Sequence, residues 1–72
     1  MGGFHDRLKA ARIEAGYRTP ELMAAALEMG ASTVRRWEND TEPSITGLAE
    51  FCRFTKTSSD WLLGLSNRKG LR

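Results

Sequence analysis

Cysteine is nearly missing from this sequence. Cys52 stands alone, so no disulfide within the chain can brace the fold. Histidine is single too, and His5 by itself excludes a site built on several histidines. Nothing in the chain completes a nucleophile–base set with Cys52 or His5, and there is no Gly-rich phosphate loop. No catalytic constellation, metal site or cofactor is expected, and the chain does not read as an enzyme. No apolar run approaches the ~20 residues of a membrane-spanning helix, and the start carries no signal-peptide pattern. With the lone thiol, this predicts a cytoplasmic setting. A strong excess of one charge is also missing. The net charge of +2 permits a nucleic-acid partner without demanding one.

What is present is a short chain of ordinary globular balance, 40% hydrophobic and 28% charged over 72 residues. A chain of this size forms one domain that buries roughly 60% of its unfolded surface, so the core is thin and compact helices are favoured. The apolar spacing predicts five of them and no sheet. Phe4, Leu8, Ala11 and Ala15 recur at helical intervals and Gly16 is a stop, giving a first helix over about Phe4–Ala15. Thr19 before Pro20 is an N-cap followed by proline at the first helical position, and Glu21 then sits in the first turn, where the helix dipole favours an anion. Met23, Ala24 and Leu27 make one face of this second helix. The third starts near Ala31, on Gly30 or Ser32 as a poor cap, and runs to Trp37 or Glu38. Ser44 caps a fourth, whose apolar face is Ile45, Leu48, Phe51 and Cys52, with Gly47 weakening its interior by ~1 kcal/mol. A fifth, capped by Ser58 or Ser59, ends at Gly64. Residues 4–65 read as the domain and 66–72 as a basic, flexible tail.

The second and third helices are separated by about three residues, Glu28, Met29 and Gly30, which forces a sharp angle between them. Around the third helix, at 100° per residue, Val34 faces the core with Glu38 on the same side. Ser32, Arg36 and Asn39 point away from it, with Arg35 at the shoulder. That outer face is small, polar and cationic, and carries no acid of its own. A helix of this kind suits the major groove of B-DNA, where guanidinium groups reach guanine edges or phosphates. The plain alternative is a solvated pair of surface arginines. Trp37, beside them, reads either as a stacking platform for single strands or as a ring packed against the fourth helix, the second being favoured. Cys52 reads as small core filler and His5 as a surface residue.

The ordered pieces "RLKAARIEAGYRT", "MAAAL", "STVRRWEND", "EPSITGLAEF" and "DWLLG" resemble the lambda-repressor-like, Cro/C1-type helix-turn-helix family (the XRE group) over about Leu8 to Gly64. The resemblance implies an all-α, compact five-helix DNA-binding domain with the third helix in the major groove. Carried over by position, it makes Ala31, Ser32 and Arg36 base-contacting residues. Gly30 and Asn39 become phosphate contacts, as does Thr19, which with Pro20 starts the helix that crosses the backbone. Thr33 and Arg35, on the flanks of the outer face, are further phosphate candidates. It also implies a structural salt bridge between Arg12 and Glu38, which is worth ~3–5 kcal/mol if buried and ~0–1 if exposed. Three positions depart from the family's pattern. Pro20 replaces a common glutamine and Ala31 a common polar residue. Glu28 replaces the usual turn glycine, which calls for a turn without positive φ or a strained one.

Trp61, Leu62, Leu63 and Leu65 crowd the end of the domain, more apolar surface than so short a helix can bury. Leu62, Leu63 and Leu65 are therefore candidates for a homodimer interface, formed in solution or only on DNA. Closure of the core by Trp61 and Leu62 is the alternative. The function expected is a sequence-specific transcriptional regulator of duplex DNA, in the manner of a phage Cro- or C1-like repressor. For so short a chain, occlusion of a promoter at a palindromic operator is the simplest mechanism. An antitoxin or restriction-controller role uses the same domain, and a protein-interaction module that no longer reads DNA is the rival from another class.

Overall fold

Serine and threonine hydroxyls open three of the five helices. The computed structural model describes residues 3–70, with α1 over Phe4–Glu14, α2 over Pro20–Leu27, α3 over Ala31–Trp37, α4 over Ile45–Thr55 and α5 over Ser59–Leu62. Thr19 Oγ1 accepts from the Leu22 N–H at 3.2 Å, Ser44 Oγ from the Gly47 N–H at 3.1 Å, and Ser58 Oγ from the N–H groups of Asp60 and Trp61. Each bond satisfies a donor that a helix start would otherwise leave open. Helices α1 and α3 begin on Gly3 and Gly30 without a side-chain cap. No strand forms among the described residues; one isolated bridge joins Thr57 to Gly70. The fold is all-α, as the spacing predicts.

Two helices stop on residues that pay a steric penalty. Glu28 and Lys56 both adopt left-handed backbone, each at φ 58°. An L-residue there costs ~1–2 kcal/mol. At Glu28 the cost is met by closure of the helix end: the Met29 N–H bonds the Ala24 carbonyl at 2.9 Å. Of the two turns open to it, the chain uses the strained one.

Leu8, Ala11, Met23, Ala24, Val34, Trp37, Phe51, Cys52 and Leu62 form the core, with each of the five helices contributing. Cys52 is filler, and burial pushes its thiol pKa up. Gly47 has a purpose that helix propensity alone does not reveal. A Cβ there would meet Trp37 Cζ2 at 3.0 Å and Cη2 at 3.1 Å, so the missing side chain is what lets the indole lie on α4. Trp37 is buried by this packing and offers no stacking platform to bases.

Four expectations are corrected. Ile45 is 89% exposed and not part of the α4 core face. It is the first residue of the helix, and its Cβ points back past the core layer. Ala15 is also exposed, because α1 has already ended at Glu14. Leu62 is 1% exposed: it closes the core and is no dimer contact, whereas Leu63 and Leu65 stay open to solvent. Part of the expected tail, residues 66–70, packs back onto the domain. The Ser58 N–H donates to the Lys69 carbonyl at 2.7 Å, and Lys69 pairs with Glu14 and lies 5.0 Å over the Trp61 ring, with Arg7 also 4.9 Å from that ring. Two cations about one aromatic ring give the segment a place to dock. The rest of the expected tail, residues 71 and 72, lies outside the described residues.

Candidate nucleic-acid interface

Glu28, Met29 and Gly30 link α2 to α3, and the strained Glu28 turns the chain so that the two helices meet at an angle. Val34 and Trp37 then bury the inner side of α3, while Ser32, Arg35 and Arg36 remain exposed. Ala31 and Thr33 are half-buried, and Ala31 packs in part against the core.

The C-terminal end of α3 is tied down on every side. Its last carbonyls have no partner within the helix, and each finds one outside it. Val34 and Arg35 accept from the Glu38 N–H, and Arg36 accepts from the N–H groups of Asn39, Asp40 and Thr41. The Asn39 side-chain amide adds a bond to the Arg35 carbonyl at 2.7 Å. This leaves Asn39 one amide hydrogen for any phosphate. The Trp37 carbonyl is met by His5 Nδ1 at 2.7 Å. A carbonyl only accepts, so Nδ1 carries the proton. The other ring nitrogen, Nε2, lies 3.9 Å from Glu42. His5 is thus half-buried and fastens α1 to the end of α3, which corrects its reading as a surface residue. Its lone occurrence gave no periodic signal for this role.

Glu38 completes the fastening. Arg12 Nε donates to Glu38 Oε2 at 2.5 Å and Nη2 to Oε1 at 3.3 Å, a two-pronged fork. Arg12 Nη1 also donates to the Tyr17 carbonyl at 2.7 Å. The two side chains are only 3% and 7% exposed. Among the described residues no buried side-chain polar atom lacks a partner, so this ion pair meets the condition for a buried charge to be tolerated.

The outer face is different. Arg36 is exposed, and among the described residues no ion pair or hydrogen bond engages its guanidinium. Arg35 does have a partner: Glu21, from the first turn of α2. The helical wheel of α3 carries no acid, but the neighbouring helix brings one to its edge. A wheel drawn for one helix cannot show this; the signal was the acidic residue in the first turn of the adjoining one. Thr19, as N-cap, uses its oxygen as an acceptor and keeps its hydroxyl hydrogen for an outside group. Gly30 has φ −76°, and a Cβ there would find only Ser32 Oγ at 3.9 Å. Neither backbone nor packing inside the domain requires glycine at this point.

Two short helices joined by a three-residue turn, the second with a cationic outer face, define a helix-turn-helix unit. A family model described as helix-turn-helix matches residues 8–62. The chain belongs to that family, the XRE-type, Cro/C1-like helix-turn-helix proteins. It is a DNA-binding family, and membership implies duplex DNA as the partner. No curated protein and no solved structure matches the chain significantly. Among the described residues there is no cluster of side chains able to hold a metal ion, and no helix long and apolar enough to cross a membrane.

Proposed function

We propose that this domain is a sequence-specific transcriptional regulator that inserts α3 into the major groove of an operator. The observation that carries the reading is the guanidinium of Arg36, unpaired among the described residues, on the outer face of a helix whose inner face and C-terminal end are anchored. A donor fork on a rigid helix is suited to the O6 and N7 of a guanine. Ser32 is the second reader. Ala31, half-covered by the core, contributes the remainder of its methyl, for a thymine methyl. Thr19, Gly30, Thr33 and Asn39 lie where phosphates would pass, Gly30 through its bare backbone.

The mechanism proposed is occlusion of a promoter by a two-fold dimer on a palindrome, as a phage Cro- or C1-like repressor acts in the cytoplasm. Half-sites would then lie about one DNA turn apart. Exposed Leu63 and Leu65 supply apolar surface for the second copy. Selection of binding sites from random duplexes tests the reading. The expected result is an enriched palindrome with affinity that falls with salt. Absence of any enriched sequence, with binding to a protein partner instead, would replace it with the interaction-module reading. Sedimentation with and without the selected duplex gives the oligomeric state, and Leu65→Glu is expected to weaken dimerisation without unfolding the domain.

A further inference from the structure

Glu21 is an acid placed against a surface that is otherwise cationic. It stands in the first turn of α2, and its carboxylate pairs with the Arg35 guanidinium of α3. The two side chains are 53% and 50% exposed, so the pair is open to exchange with solvent ions. Arg36, one residue on, has no such partner among the described residues.

We propose that Glu21 masks Arg35, lowering the sequence-independent part of DNA affinity so that a larger share of what remains comes from Arg36. The inference rests on the DNA-binding reading above. Its physical basis is the counting of counterions. A cation that reaches a phosphate releases a condensed counterion, and this release dominates non-specific affinity. Arg35 bound to Glu21 is already neutralised. Handing Arg35 to a phosphate releases one counterion from the DNA but strips Glu21 of its partner, and the freed carboxylate takes up a cation from solution, as it does with or without DNA when Arg35 is absent. The exchange is close to balanced, and Arg35 adds little to the salt dependence. Phosphate contacts carry no sequence information. A masked Arg35 therefore lowers affinity for every sequence alike and leaves the base contact beside it as a larger share of the total. Glu21 thus tunes the affinity and salt dependence of binding without touching DNA.

Four proteins test this: the wild type, Glu21→Gln, Arg35→Ala and the double variant. Each is titrated with a random-sequence duplex by fluorescence anisotropy between 50 and 200 mM salt. Glutamine keeps the shape of residue 21, and circular dichroism confirms that each variant is folded. Glu21→Gln is expected to bind more tightly, with a log–log salt slope steeper by about 0.9. Its advantage over the wild type then shrinks about 3.5-fold across that range. Arg35→Ala is expected to keep the wild-type slope, and in that background Glu21→Gln gains almost nothing. A gain that persists without Arg35 overturns the mask, because Glu21 would then act by repelling phosphate directly. Weaker binding by Glu21→Gln overturns it too, since Glu21 would be steering Arg35 onto the DNA. An unchanged slope in a wild type that binds well removes the mask alone. A wild type that retains no duplex at 50 mM salt removes the DNA-binding reading and the mask with it.

Discussion

Helix α3 carries an arginine–glutamate pair on each of its two sides. Inside, Glu38 is held by Arg12 with both side chains almost wholly out of solvent; outside, Arg35 is held by Glu21 with both about half exposed. The residue types are the same and the consequences opposite. In the inner pair the charges have left water, and the Tyr17 carbonyl and the fork geometry replace the lost hydration. Such a pair is fixed, and breaking it strands a buried charge. In the outer pair water and salt compete on equal terms, and the partners can be exchanged for others. Burial, not charge, separates the half of α3 that builds the domain from the half that is free to bind.

The sharpest way to break this comparison is at Arg12. Arg12→Ala is expected to cost ~3–5 kcal/mol, measured as a shift of the urea midpoint, while Glu21→Ala costs no more than ~1 kcal/mol. For a 72-residue domain the first loss approaches total stability, so Arg12→Ala should be largely unfolded when warm. Equal costs at the two sites would show that the inner pair is solvated like the outer one. Trp37→Ala belongs to the same class, at ~3–5 kcal/mol.

Arg36→Ala sharpens the outer side. We expect stability within ~0.5 kcal/mol of wild type, as for an exposed residue with no partner among the described residues. On the selected operator, affinity should fall by ~1–3 kcal/mol, with preference relaxed at one base pair. A loss spread equally over all sequences would instead make Arg36 a phosphate contact. Gly30→Ala provides a milder version. Its backbone is ordinary and its Cβ has room, so folding should be unaffected while close approach of DNA backbone is hindered.

What could be read from the sequence follows the same division. Features local to one helix were legible: the five helices, the Thr19, Ser44 and Ser58 caps, the three-residue link, and the inward side of α3 with Val34 and Glu38 together. Each depends on spacing of a few residues along one axis. Features that need two helices at once were not. Glu21 was visible only as a dipole partner of its own helix, although its contact is Arg35. His5 gave no sign that it meets the Trp37 carbonyl 32 residues away. The docking of Lys69 beside Glu14 and Trp61 was likewise hidden, because a polar, basic end reads as solvated until an aromatic face is known to await it. For Ile45 the period was right but the helix began too late for its first side chain to reach the core.

Gly47→Ala tests whether the inner side is as tightly fitted as its ion pair implies. In isolation the change favours the helix by ~1 kcal/mol. Here the new methyl lands 3.0 Å from the buried Trp37 ring and 3.3 Å from Ser44 Oγ, which caps the same helix. Overpacking of this kind costs ~1–3 kcal/mol, so a net loss of about 1 kcal/mol is expected. A more stable variant would mean that the indole shifts freely and that α3 is not seated as firmly as its anchored end suggests.

The smallest effect is expected from the Cys52 thiol, which reports on the same interior by pH. Burial disfavours the thiolate, so its pKa in the folded domain lies above that of the unfolded chain. The sign follows directly. Below the ordinary thiol range both states hold the proton, and this contribution to stability is fully present. As pH rises, the unfolded chain ionises first, and the contribution is lost by the time the folded pKa is passed. Wild-type stability should therefore fall further than that of Cys52→Ala between pH 7 and pH values above the usual thiol pKa of about 8.5. Everything the two proteins share cancels in the difference. Identical slopes for the two would place Cys52 in contact with water, and the interior behind Trp37 would then be looser than the inner ion pair requires.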